Sequence, residues 1–273
     1  MASGMAQTGA NKMLDTLTGK SAYSLPSLYI ALCTSTTSAA SAGTEITVGQ
    51  YQTYARQALT GSSWSGGSAG STTYNALLDF GTAGGSSTGT TVTGFELWDA
   101  SSGGVRLWYE QLATSVPVAS GGGTHITFAS GQIVATLSLV SGGVGFATTY
   151  INKFLDHMTG KTTFGSAPTI YGALTTANST ATTLGTEAAY TSYTRTAQLT
   201  SSAFNSASGG AVTFASKVDW PAATGSSSTV IGYGFCDASS AGNLIGAGTI
   251  TSVVISSPLV PEIAASTTVL QIS

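Results

Sequence analysis

The chain contains itself twice. Asn11-Lys12-Met13-Leu14-Asp15 returns as Asn152-Lys153-Phe154-Leu155-Asp156, and Thr18-Gly19-Lys20 as Thr159-Gly160-Lys161. Gly43-Thr44-Glu45 returns as Gly185-Thr186-Glu187, Tyr54-Ala55-Arg56 as Tyr193-Thr194-Arg195, and Asp79-Phe80 as Asp219-Trp220. Asp99-Ala100-Ser101-Ser102 returns as Asp237-Ala238-Ser239-Ser240. The offset stays near 140 and drifts where loops gain or lose a residue. A period this long marks two copies of a whole domain, not a solenoid built from units of about 20–50 residues. The matches place the first domain at 11–140 and the second at 151–273, with an N-terminal arm at 1–10 and a Gly/Ser-rich linker at 141–150.

Charge is scarce, which makes its recurrence informative. Only 19 of 273 residues are charged, and seven repeated pairs hold 14 of them. Among these pairs are Glu45/Glu187, Arg56/Arg195, Asp79/Asp219 and Asp99/Asp237. A ligand site in each domain is one explanation. The preferred one is structural, because the set mixes signs in pairs and contains no repeated His or Cys. On that reading the arginines pair with nearby carboxylates in their own domain, and Asp99 and Asp237 cap turns.

Each copy opens on a short helical pattern. In the first, Met13, Leu14 and Leu17 share one face and Gly19 stops the helix; in the second, Ile151, Phe154, Leu155 and Met158 do so ahead of Gly160. Helices of about ten residues are not stable alone and must dock. Short strand-like runs follow, at 27–34, 51–59, 73–80, 91–99, 105–112, 125–128 and 132–139, separated by Gly/Ser/Thr turns. The second copy offers 169–175, 193–199, 211–218, 230–237, 243–250 and 267–272. This spacing predicts a mainly β chain of two tandem antiparallel β-sandwich or barrel domains, each preceded by one short α-helix. Each copy is expected to bury a complete core and to fold by itself.

Little in the sequence carries chemistry. The two histidines, His125 and His157, have no equivalents in the other copy, and no Gly-x-Ser-x-Gly elbow or βαβ pattern supports a hydrolase. Four His and Cys residues scattered over the chain do not make a metal site, and no phosphate-binding loop is present. A glycosidase pair of Asp99 with Glu96 fails because Glu96 becomes Gly234 in the second copy. The sequence therefore predicts no enzyme, no catalytic residues, no cofactor and no metal. Cys33 and Cys236 fall at non-equivalent strand positions, so buried thiols are expected. Trp98 aligns with Cys236 and Trp220 with Phe80, which fits packing better than ring stacking on a sugar. Trp64, in a Gly/Ser-rich turn, is the best candidate for an exposed contact aromatic.

Gly, Ser and Thr make up 118 residues and the net charge is -3, so no basic footprint for nucleic acid exists. Residues 1–10 lack a signal peptide's basic and apolar regions, and no apolar run is long enough for a spanning helix. Synthesis in a reducing cytoplasm is expected. A surface that keeps its polarity through Ser and Thr instead of charge suits a component of a larger assembly.

One ordered set of motifs carries a family resemblance. Thr18-Gly19-Lys20, Tyr29-Ile30-Ala31-Leu32, Gly43-Thr44-Glu45, Tyr54-Ala55-Arg56, Trp64, Asn75, Asp79-Phe80 and Leu97-Trp98-Asp99-Ala100-Ser101-Ser102-Gly103-Gly104 resemble a family of bacteriophage virion proteins. Its members are described as tail-fibre-like and are similar to small β-rich head-decoration proteins. The second copy departs from the set at Phe204, in place of Trp64, and at Ala241. The resemblance implies a non-enzymatic virion component. The preferred reading is a capsid decoration or cement protein on the outer surface of the head, whose partners are the major capsid protein or other virion proteins, with self-association also open. The alternative is a tail or tail-fibre component binding host surface glycan. No nucleic-acid or membrane partner is expected.

Overall fold

The computed structural model describes residues 3–199 and 201–272, apart from the side chains of 197 and 198. Among the described residues, the strands fall into two sets of nine that correspond one to one. The first set is β1 (Ser3–Met5), β2 (Leu28–Cys33), β3 (Gln57–Leu59), β4 (Ser71–Tyr74), β5 (Leu78–Thr82), β6 (Thr90–Trp98), β7 (Arg106–Val118), β8 (His125–Phe128) and β9 (Ile133–Thr136). The second is β10 (Gly145–Phe146), β11 (Ile170–Thr175), β12 (Thr196–Leu199), β13 (Ala211–Thr213), β14 (Val218–Asp219), β15 (Ser228–Cys236), β16 (Leu244–Ile255), β17 (Glu262–Ile263) and β18 (Thr268–Gln271). Two helices, α1 (Gln7–Leu17) and α2 (Thr148–Met158), stand at equivalent places.

The first set forms a five-stranded antiparallel sheet in the order β1-β7-β6-β2-β3, with two-stranded ribbons β4-β9 and β5-β8. Its interior is aromatic. Phe95 of the sheet meets Phe128 of the second ribbon edge-on at 5.4 Å, and Phe128 in turn meets Phe80 at 6.3 Å. The second set repeats the topology as β10-β16-β15-β11-β12, with ribbons β13-β18 and β14-β17. There Phe235 of the sheet meets Phe214 at 6.0 Å, and Phe214 stacks on Phe204 at 5.4 Å. The ribbon strands β4, β8 and β9 alternate buried and outward residues, whereas the central sheet strands β2, β6, β11 and β15 are buried along most of their length and read as near-continuous apolar or small-residue runs.

The copies begin earlier than the repeated motifs suggest. Residues 3–10 are not an arm: Ser3–Met5 pairs with Glu110, Tyr109 and Trp108 of β7, and α1 starts at Gln7. Nor is 141–150 a free linker, since Gly145–Phe146 pairs with Ala247 and Gly246 of β16 and α2 starts at Thr148. The sequence hid both strands because they are only three and two residues long and uncharged. The run at 51–59 also differs: Tyr51 and Tyr54 lie in turns, and only Gln57–Leu59 is strand.

Packing reassigns the helices. One compact unit comprises residues 3–10, 24–137 and 154–164. The other comprises residues 11–23, 138–153 and 165–272. Each unit thus holds the C-terminal part of the helix that belongs, by sequence, to the other copy. The expectation that each copy buries a complete core unaided is corrected by this exchange. Amphipathic spacing says that a helix must dock, but not on which partner. Met13, Leu14 and Leu17 are fully buried, as are Phe154, Leu155 and Met158.

Candidate functional site

Three of the repeated charged pairs, Glu45/Glu187, Arg56/Arg195 and Asp99/Asp237, converge on one constellation per unit. In the first, Arg56 lies with Nη2 2.7 Å from Glu45 Oε2, and its Nη1 donates to the carbonyls of Ala100 at 2.9 Å and Gly103 at 2.8 Å. The Tyr54 hydroxyl donates to Glu45 Oε1 at 2.7 Å and accepts from the Leu32 amide at 3.2 Å. In the second, Arg195 Nη2 is 2.7 Å from Glu187 Oε1, and Nη1 donates to Ala238 and Ala241 at 2.7 and 2.8 Å. Tyr193 donates to Glu187 at 2.8 Å and accepts from Leu174. The guanidinium fork bridges a carboxylate and two turn carbonyls from three separate nitrogens, a span that the three donors on the single nitrogen of Lys do not cover. Both arginine side chains are buried, whereas both glutamates are about one-third exposed. Burial pushes Glu45 and Glu187 up, but the paired guanidinium and tyrosine hydroxyl outweigh it and hold both carboxyls below their ordinary value.

The turn clasped by each arginine is built by the repeated aspartate. Asp99 Oδ1 accepts from the Val105 amide at 2.5 Å, and Asp237 Oδ1 from the Asn243 amide at 2.6 Å. The sequence placed both aspartates in this turn-capping position. Asp79 and Asp219, by contrast, sit at the surface with different partners. Asp79 Oδ1 meets His125 Nε2 and the Gly81 amide, each at 2.6 Å, and these bonds hold its carboxyl low. Asp219 pairs with Lys217 at 3.1 Å.

One further repeated charged pair, Asp15/Asp156, acts at the helix ends in both copies, and Lys161 and Asn11 each add a contact in one. Asp156 Oδ1 accepts from the Gly67 amide at 2.6 Å, and Lys161 Nζ donates to the Trp64 carbonyl at 2.7 Å, both within the first unit. In the second, Asp15 Oδ1 accepts from Ala207 at 2.7 Å and Asn11 Oδ1 from Gly210 at 2.8 Å. Each helix stops on a left-handed glycine, Gly19 (φ 71°) or Gly160 (φ 72°), with the next amide returning to the aspartate carbonyl. The approach at Gly160 is tight: a Cβ on Gly61 would lie 2.0 Å from the Gly160 carbonyl oxygen.

Trp64 is not a surface aromatic. It is 1% exposed and packs edge-on against Tyr74 at 5.3 Å. The small residues around it make room for the helix end instead of exposing the ring. Trp98 carries Arg56 over its ring at 4.5 Å, an interaction that Cys236 cannot reproduce beneath Arg195. Cys33 and Cys236 are buried free thiols; burial pushes Cys33 far up and Cys236 up to about 11, which disfavours the thiolate form of both.

A model of the podophage GP4 fiber I protein gp80 matches residues 4–136 and, a second time, residues 145–270. The chain belongs to this family. Together the two matches span nearly the whole sequence, and each begins within the short strand that precedes the helix. The protein is therefore a phage virion structural protein made of two copies of one module. No curated protein matches the chain significantly.

One buried ion pair escaped the repeat comparison because only the first copy has it. Arg106 Nη1 lies 2.8 Å from Glu96 Oε1, both nearly inaccessible, and also donates to Thr37 and the Ser41 carbonyl. Thr37 donates to Glu96, as does the Gly43 amide at 2.8 Å. The aligned positions in the second copy are Gly234 and Leu244, in an apolar cluster with Val140, Ala147, Cys236 and Leu184.

Proposed function

We propose that the chain is a non-enzymatic fibre component of the phage particle, acting by contact with neighbouring virion proteins and not by chemistry. What supports this is the use of the repeated charges. Glu45, Arg56, Asp99 and their mates hold turns within each unit, so nothing in the shared constellation is left to activate a substrate. The family, named for a fibre protein, extends over both copies. Glycan capture by Trp64 has no support, since the ring lies in the core.

Capsid decoration is the second reading, favoured by the build of two compact modules with eleven-residue helices instead of a heptad stalk. Linking two like contact surfaces raises the effective concentration for the second contact, which serves either location. Immunogold labelling and copy counting on purified particles separate them. Label at the fibres with a handful of copies supports the fibre reading. Hundreds of copies spread over the shell establish decoration in its place.

A further inference from the structure

In both units a short strand covers only the start of the outer side of the longest strand. β1 covers Trp108–Glu110 of β7, and β10 covers Gly246 and Ala247 of β16. Beyond these residues the outer side is bare, and the two copies finish it differently. In the first, Pro117 stands opposite Thr91 in the β6–β7 ladder. Proline has no N–H to give to β6, so this is a non-hydrogen-bonded pair, and the backbone of residue 117 faces away from β6. A further strand would find no donor there. In the second, the β15–β16 ladder bulges between Thr249 and Val253 and resumes in the matching register, with Thr229 opposite Val254. Val254 therefore turns both its N–H and its C=O outward, and among the described residues neither has a partner.

We propose that this edge of β16 pairs with the same edge of a second copy of the chain. Outward backbone groups on an exposed strand are matched by another strand, as β1 and β10 already do earlier on the same edges. The stretch Thr249-Ile250-Thr251-Ser252-Val253-Val254-Ile255 has no charge, proline or glycine, and all but Ser252 are β-branched. Residues 249–254 are exposed throughout, without the lysine or proline that guards an edge. Antiparallel pairing about Val254 is symmetric: each Val254 N–H donates to the C=O of the other, and Val253 of one chain lies opposite Ile255 of the second. A charged edge would set like charges against each other in such a pair, and this edge sets none. Val253, Leu259 and Val260, at 39, 43 and 46% exposed, lie beside the seam and are covered with it. Pairing consumes the edge of both chains, so association stops at a dimer. The proposal holds whichever part of the particle carries the chain.

Light-scattering chromatography of the full chain over a dilution series tests it. The unaltered chain should pass from monomer to dimer as concentration rises. Val254→Pro copies the first unit and removes both donors of the central pair. It should weaken association about tenfold with little change in Tm, because the fold does not use that N–H. Val254→Thr keeps the N–H and the branched shape and should stay close to the unaltered chain. Hydrogen exchange needs no variant: peptides over 249–255 should gain protection with concentration, and those over 111–117 should not. A monomer at every concentration, growth beyond a dimer, or association without protection of 249–255 would overturn the proposal. So would undiminished association of Val254→Pro, or a loss in Val254→Thr as large as in Val254→Pro.

Discussion

Asp156 accepts a hydrogen bond from the amide of Gly67 at 2.6 Å, although 89 residues separate them in the chain. Its repeat mate Asp15 does the same for Ala207 across 192 residues. Recurrence of this contact explains why a chain so poor in charge keeps an aspartate at the fifth position of Asn-Lys-x-Leu-Asp in both copies. The carboxylate satisfies a turn amide that would otherwise lose its partner under the docked helix.

Removing either carboxylate should therefore destabilise the protein. Asp156→Ala and Asp15→Ala are each expected to cost about 1–3 kcal/mol, the penalty for stranding a partly buried donor. Asn at either position keeps an acceptor and should recover part of the loss. Thermal melts of the full chain measure both effects; an unchanged Tm in both alanine variants would show that the turns do not need the helix.

Acid should destabilise the protein through the same groups that hold its turns. Glu45, Glu187, Asp79 and Asp237 all have carboxyls held below their ordinary values. A group whose folded pKa is depressed contributes stability above its unfolded value, about 4, and loses it as pH falls through the folded value. Glu110, pushed upward by burial, works in the opposite direction and favours the folded state at acid pH. Four groups against one gives a net fall in Tm below pH 4. The double variant Arg56→Ala/Arg195→Ala should melt lower at neutral pH and show a smaller further drop in acid.

The recurrence of residues made much of this legible. Repetition at long period revealed the two copies, and apolar spacing with a glycine stop revealed both helices. Both arginines were recognisable as paired because carboxylates recur with them, although the sequence left Glu45/Glu187 and Asp99/Asp237 equally open as partners. Three features were not legible, each for a physical reason. The destination of a helix is set by tertiary packing, so the exchange of residues 11–23 and 154–164 left no local signal. Strands of two or three residues carry no periodicity, which hid Ser3–Met5 and Gly145–Phe146. Glycine and serine around Trp64 read as an exposed turn, whereas their small size admits the helix end.

Because Trp64 is core, its truncation should act on stability. Trp64→Ala is expected to cost about 3–5 kcal/mol through lost burial and the cavity it leaves. Trp64→Phe imitates the second copy, where Phe204 is fully buried at the aligned position, and should cost much less. Denaturant unfolding of the full chain distinguishes the two. A Trp64→Ala protein of ordinary stability would return the ring to the surface.

Glu96 and Arg106 offer the sharpest internal comparison, since the sister copy solves the same position without charge. Leu184 lies so close to Gly234 that a Cβ there would stand 2.3 Å from its Cδ1, and Leu244 fills the place of Arg106. Leu184 aligns with Ala42, counted from Gly185 and Gly43. Glu96→Ala alone should therefore be severe, about 3–5 kcal/mol, because it leaves the Arg106 guanidinium buried without its carboxylate. The triple variant Ala42→Leu/Glu96→Gly/Arg106→Leu transplants the apolar solution. It should recover most of that loss, since replacing a buried ion pair by packed apolar groups is often neutral or stabilising. Full recovery is opposed by the carbonyls of Ala39 and Ser41, which lose their bonds to Arg106. Equilibrium unfolding of wild type, single and triple variants gives the comparison directly. A triple variant no more stable than Glu96→Ala would mean that the ion pair orders the 37–43 loop in a way apolar packing cannot replace.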